Sequence, residues 1–182
     1  MTLYDIIAQA FGILAMACNI FSFQRKTSNG VIFCQMFGGA LFSVSFFMLG
    51  ATVGGILNAV AAFRAIIYMN EEKLHASHIA WLIFFEILFV ASYILTFTVF
   101  GKAFTPANAL LELLPVIGMT ASTISFRLQS AKAIRRFGLI SSPSWLVYNI
   151  VNFAIGAIVC ETLSIVSIII GMFRYDIKRK AH

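Results

Sequence analysis

Residues 19–26 read NIFSFQRK, and residues 122–129 read STISFRLQ. Each stretch closes a long apolar run with a Ser-Phe pair and then meets polar and basic residues. Placing Ser22-Phe23 on Ser125-Phe126 also brings Met16 onto Met119, Gly12 onto Pro115 and Gln9 onto Glu112. Further along, with three extra residues in the second basic loop, Gly50-Ala51 falls on Gly156-Ala157. Val53 then meets Val159, Leu57 meets Leu163 and Asn58 meets Ser164. The chain reads as two copies of one unit.

Composition says what kind of unit it is. Of 182 residues, 60% are hydrophobic and 11% charged, whereas a soluble domain is about one quarter charged. The solvent for most of this chain is therefore lipid. Nineteen Phe against five Tyr and two Trp suit a lipid-facing surface. The net charge of +6 comes from basic residues between apolar runs, with no aromatic-interleaved patch, which excludes nucleic acid as a partner. MTLYDIIAQAF has no basic region ahead of its apolar run and does not read as a cleaved signal peptide. Cys18, Cys34 and Cys160 lie singly within apolar runs and read as packing residues.

A membrane-spanning helix needs roughly 17 to 25 mostly apolar residues. The candidates are Tyr4–Phe23, Val31–Leu49, Val53–Met69, His78–Phe100, Ala107–Phe126, Pro143–Ile158 and Val159–Arg174. The runs lack period-two alternation, which excludes barrel strands. Seven spans with the N-terminus outside put Arg25, Lys26, Arg64, Lys73, Arg127, Lys132, Arg135, Arg136 and the four basic residues of the tail inside. That is twelve of thirteen basic residues, leaving Lys102 outside. Six spans would divide the basic loops between the two sides. The expected fold is thus an all-α membrane protein. Two parallel three-helix bundles, 1–70 and 105–182, are joined by a linker helix within 71–104, and the C-terminus is cytoplasmic.

Ionisable groups within lipid are costly and point to function. Glu112 lies about two turns into the fifth segment, ahead of Pro115, whose ring removes a helix hydrogen bond. It can bind a cation, hold a proton and couple transport to a proton gradient, or simply pair with Lys102. Glu161 starts the seventh segment near the outer mouth. Glu86, on the linker helix, reads as structurally partnered. Arg64 can snorkel to lipid phosphates or pair with a carboxylate. Asn58, Asn149 and Asn152 fall near mid-membrane depth and should face the bundle interior. Trp145 and Tyr148 share a helix face with Asn149 and Asn152. Aromatic faces with amides suit a sugar-like or other polar solute, and helix–helix hydrogen bonding is the alternative. His75 and His78 beside Glu71 and Glu72 have metal-compatible spacing but read as solvated, so no metal is expected. No phosphate loop, nucleotide fingerprint or catalytic triad occurs. No cofactor and no enzyme activity is expected.

With ELLPVIG (Glu112–Gly118), then Ser122-Thr123, Trp145, Asn149 and Glu161, and a Gly50 turn followed by Asn58 and Arg64, the sequence resembles the YgjV-like family of bacterial inner-membrane proteins. The resemblance spans nearly the whole chain, least so in the fourth segment, and implies a multi-pass inner-membrane location. The three-plus-one-plus-three plan also resembles SWEET and PQ-loop transporters, and SFQRKTSNG (Ser22–Gly30) is similar to a PQ-loop ending without its proline. That resemblance implies proline hinges, for which Pro115 and Pro143 are present, and facing asparagines on the third and seventh helices. Asn58 matches the first of these, and Ser164 stands in for the second. The expected function is a transporter or facilitator of a small polar solute. Asn58, Asn149, Trp145, Glu112, Asn152 and Glu161 would bind the solute. A non-transporting membrane partner or sensor is the alternative. Glycine-rich faces would allow a homo-oligomer.

Overall fold

In hydrocarbon every backbone N–H and C=O must find its partner within the protein, and a helix does so locally. The computed structural model describes residues 2–22, 28–128 and 131–173. Arg25, Lys26 and the tail Arg174–Lys180, which entered the charge argument, lie outside the described residues. Among the described residues the chain is helical, without a strand: α1 (Leu3–Ser22), α2 (Ser28–Met48), α3 (Thr52–Met69), the four-residue α4 (Glu71–Leu74), α5 (Ile79–Thr98), α6 (Pro106–Arg127), α7 (Ala131–Val151) and α8 (Ile155–Gly171). Local chemistry sets the starts. Thr2 and Asp5 exchange hydrogen bonds at the head of α1, Thr2 N to Asp5 Oδ2 at 2.7 Å and Asp5 N to Thr2 Oγ1 at 3.2 Å, as a capping box does. His78 caps α5 by accepting from the Ala80 N–H at 3.2 Å.

Four helices, α1, α3, α5 and α6, are long and apolar enough to cross a membrane, and α2 and α8 carry shorter apolar stretches, Ile32–Met48 and Ile155–Gly171. The sixth and seventh segments differ from the sequence reading. The sixth segment is α7, which starts at Ala131, not Pro143; its first turns carry Lys132, Arg135 and Arg136 and so read as loop by hydropathy. The break before the last helix falls at Asn152–Ala154, not at Gly156-Ala157.

Four of the six helix boundaries of the two triplets recur at one fixed separation. Leu3 and Pro106, Ser28 and Ala131, Met48 and Val151, and Thr52 and Ile155 each stand 103 positions apart. The turns recur too. Leu49 N bonds Ser45 O, Gly50 N bonds Phe47 O and Ala51 N bonds Phe46 O; Asn152 N bonds Tyr148 O, Phe153 N bonds Ile150 O and Ala154 N bonds Asn149 O. Both turns place one residue in the left-handed region, Gly50 at φ 72° and Phe153 at φ 51°. The three-residue insertion expected in the second basic loop is absent. Ser22-Phe23 and Ser125-Phe126 already carry the separation of 103 that holds to the end.

Helices adjacent in sequence pack together within α1–α2–α3 and within α6–α7–α8, while α1 against α8 and α3 against α6 close a ring. Outside the ring α5 rests on α3 and α6. Its outward face presents Ile83, Ile87, Val90 and Ile94, all more than half exposed, at the spacing of one helical stripe. Lipid gives helix pairs little hydrophobic drive, so close packing and hydrogen bonds hold the ring. The tightest approach is between α1 and α8: a Cβ on Gly156 would collide with the Gly12 backbone.

Candidate functional site

A cavity of about 1040 Å³ lies inside the ring, at the upper end of the roughly 300–1,000 Å³ of small-molecule sites. Its walls come from α1, α2 and α3 on one side and α6, α7 and α8 on the other. Where α3 passes into α4 its lining includes Asn70, Glu71, Glu72 and Lys73, which are exposed or half-exposed. At its inner end it stops at Phe46, Trp145, Asn149 and Ala157.

The wall repeats the helix register. Asn19 and Ser122, Gly39 and Ser142, Phe42 and Trp145, Phe46 and Asn149, Asn58 and Glu161, and Ala61 and Ser164 all line the cavity, and the members of each pair are 103 positions apart. Asn58 therefore shares its structural position with Glu161, whereas Ser164 shares its position with Ala61.

Several polar wall groups donate a hydrogen bond to their own helices. Asn58 Nδ2 donates to Gly54 O at 2.9 Å, Ser122 Oγ to Gly118 O at 2.8 Å and Ser164 Oγ to Cys160 O at 2.9 Å. Lone pairs remain for the cavity. Glu161 is partly buried, with Ser142 beside it, and makes no ion pair among the described residues. Asn149 is 1% exposed and its Oδ1 is buried without a partner among the described residues. The aromatic end is built by Trp145, whose ring centroid lies 6.0 Å from Phe46 and 6.0 Å, edge-on at 88°, from Tyr148.

Beyond this floor the ring is sealed. The Tyr148 hydroxyl accepts from the Gly54 N–H at 3.0 Å, tying α7 to α3. Gln9 of α1 clasps the α7–α8 turn, donating to Phe153 O at 2.7 Å and accepting from Ile155 N at 3.1 Å. Ser45 Oγ donates to Ala8 O at 2.8 Å, tying α2 to α1.

Of the sequence candidates, the fold brings Asn58, Asn149, Trp145 and Glu161 to one cavity. Two do not line it. Glu112 is fully buried and ion-paired with Lys102, close to the Tyr148 hydroxyl, so it belongs to the sealed end. Asn152 lies past the floor, where its Nδ2 donates back to Tyr148 O at 2.8 Å. Glu161, expected at the outer mouth, sits at the Asn58 level in the cavity wall. Arg64 does not snorkel: it is 7% exposed and its Nη1 donates to Thr123 Oγ1, which bonds Met119 O at 2.8 Å. Glu86 accepts from Thr120 Oγ1 at 2.6 Å, a structural partner on α6. Pro115 and Pro143 lie inside unbroken helices, where they cannot donate to the carbonyls of Leu111 and Leu139. Gln35, Asn19 and Ser142 line the cavity without having been singled out in the sequence; the fixed separation of 103 would have found Ser142 as the counterpart of Gly39.

An all-helical chain with apolar exteriors, membrane-length helices and a polar-lined central cavity is a multi-helix membrane protein. Residues 6–179 match the Imp-YgjV family, described as bacterial inner membrane protein, and the chain belongs to that family. No curated protein and no solved structure gives a match. The protein resides in the bacterial inner membrane.

Proposed function

We propose that this protein is a transporter or facilitator of a small polar solute, working by alternating access between the units 1–70 and 105–182, with 71–104 as the link. The observation that carries this reading is the cavity wall: six pairs of positions with one separation surround a space that is open at one end and bonded shut at the other. Two similar units flanking one site can rock about it and exchange the open and closed ends, as inverted or parallel repeats do in carriers. The recurrent helix ends and identical turn bonding support reading the chain as a duplicated triplet crossing the membrane seven times.

Under the positive-inside rule the mouth at Asn70–Lys73 faces the cytoplasm and the Tyr148–Gly54 end faces outward. The solute would meet Asn58, Asn149, Trp145 and Glu161, while Glu112 and Lys102 would work at the outer closure and Pro115 and Pro143 where the helices bend. The role is carriage rather than catalysis.

Uptake into proteoliposomes tests the reading, using a solute library and single cysteines introduced at Gly39 and Asn152. Flux that is lost when the Gly39→Cys thiol is blocked from the cytoplasmic side supports it. A correctly folded protein that moves no solute overturns it in favour of a non-transporting membrane partner. Reporter fusions at both termini test the orientation, with an outer N-terminus and a cytoplasmic C-terminus as the expected result.

A further inference from the structure

The cavity wall is unequal in charge, and that inequality points to a ligand class. At the level where the first triplet has Asn58, the second has Glu161. A carboxylate set in a membrane interior is stable as an anion only with a cation or several donors around it. Glu161 has neither: Ser142 stands beside it, and no lysine or arginine pairs with it among the described residues. Of the two cations in the described wall, Lys73 stands on α4 at the far end of the cavity. Arg64 lies six residues beyond Asn58 towards that end on the same helix, about 9 Å along its axis, and is engaged with Thr123 on α6.

The neutral groups lean the same way. Ser122 and Ser164 have given their hydroxyl protons to helix carbonyls, and Asn58 has spent one of its two amide protons the same way, which leaves the Asn58 carbonyl oxygen and hydroxyl lone pairs as acceptors. With the Glu161 carboxylate beside these acceptors, this part of the wall suits a ligand that brings donors. Phe42, Phe46 and Trp145 add aromatic surface at the floor, a second feature that favours a positive charge.

Resting on the reading of this cavity as a solute site, we propose that its ligand is a small organic cation bearing a protonated primary amine or guanidinium. Its N–H groups are received by the Glu161 carboxylate and the Asn58 carbonyl oxygen, and its carbon skeleton lies against Trp145 and Phe46. A sugar has no charge to offer Glu161 and is disfavoured. The Trp145 N–H and the Gln35 amide remain for one neutral polar group on the same molecule.

Purified protein carrying Trp81→Phe leaves Trp145 as the fluorescent reporter. It is titrated with three size-matched sets: primary ammonium and guanidinium compounds, polyols and amides, and carboxylates. Cations alone should change the emission and raise the unfolding temperature. Glu161→Gln should weaken that response at least tenfold, while Glu161→Asp keeps most of it. Both variants are first checked for wild-type elution and unfolding temperature without ligand. If the Glu161→Gln variant misfolds, Asn58→Leu, which removes the second acceptor, provides the same test. A response to polyols or carboxylates, a cation response indifferent to both changes, or no response to any cation overturns the assignment. Proteoliposome flux separates this from the transport reading. Cations that bind through Glu161 but do not cross sink transport and keep the ligand class; a neutral solute that crosses equally well in Glu161→Gln keeps transport and sinks the class.

Discussion

At the turn between α2 and α3 the left-handed position is Gly50; at the turn between α7 and α8 it is Phe153. The hydrogen bonds around both are the same. Two further positions carry an amide in the first triplet and a carboxylate in the second: Gln9 and Glu112, Asn58 and Glu161. Gln9 can clasp a turn of the other triplet because an amide both donates and accepts. Glu112 accepts only, so it needs Lys102 from the α5–α6 loop. The backbone plan is thus held by helix length and turn geometry, while each triplet fills equivalent places with its own chemistry. Glu112 and Glu161 both belong to the second triplet, whereas the buried ionisable group of the first is the cation Arg64.

The sharpest way to break this contrast is at Lys102. Lys102→Ala leaves the Glu112 carboxylate buried without a cation, at a cost of about 3 kcal/mol, the lower end for such removals because Lys102 keeps some water contact. Adding Glu112→Gln gives the second triplet the residue found in the first and should recover most of the loss. Thermal unfolding of the single and double variants in detergent measures both effects, and a double variant no better than Lys102→Ala would deny that charge is the cause.

Next is the seam between α1 and α8. Gly156→Ala drives a methyl group into the Gly12 backbone and should cost about 2–3 kcal/mol with loss of α1–α8 packing. The counterpart of Gly156 in the first triplet is Val53, which already carries a larger side chain and is fully buried. The two seams are therefore not interchangeable. An unchanged unfolding temperature for Gly156→Ala would mean that α1 and α8 do not meet as described.

A smaller effect is expected at the sealed end. Tyr148→Phe leaves the Gly54 N–H unpaired, for about 1–2 kcal/mol, and should increase labelling of a cysteine introduced at Phe46 from the far side of the membrane. Ser45→Ala, at the equivalent position in the first triplet, frees only a carbonyl that keeps its helix partner and should cost less, about 0.5–1 kcal/mol. Equal labelling with and without Tyr148→Phe would show that this hydrogen bond does not hold the end closed.

The smallest test concerns the turns. Gly50→Ala should lose about 1 kcal/mol and Phe153→Gly should gain up to about 1 kcal/mol, because only glycine enters the left-handed region without strain. Opposite signs at the two turns, read by unfolding temperature, would verify that they share one geometry. Equal signs would separate them.

Much of this plan was legible in the chain. The Ser-Phe endings carried the true separation, and Asn58, Asn149, Trp145 and Glu161 were singled out as intramembrane polar or aromatic groups. The second half of the alignment went astray at a matching Gly-Ala dipeptide. Gly50-Ala51 corresponds to Phe153-Ala154, and a phenylalanine in the left-handed region gives no sign of itself in sequence. That slip of three paired Asn58 with Ser164 instead of Glu161. Glu112 and Asn152 share helix depth and spacing with real cavity residues, so periodicity alone could not exclude them; which way each side chain turns depends on neighbours far away in sequence.

By itself the sequence determined the solvent of this protein, its helical class and its membrane, because hydropathy and the scarcity of charge are summed along the chain and need no partner. Only the tertiary structure decided that Glu112 is spent on Lys102 while Glu161 stays open to the cavity. Two carboxylates of the same kind, each on a helix in the same bundle, differ only in what the folding of the other helices brings beside them.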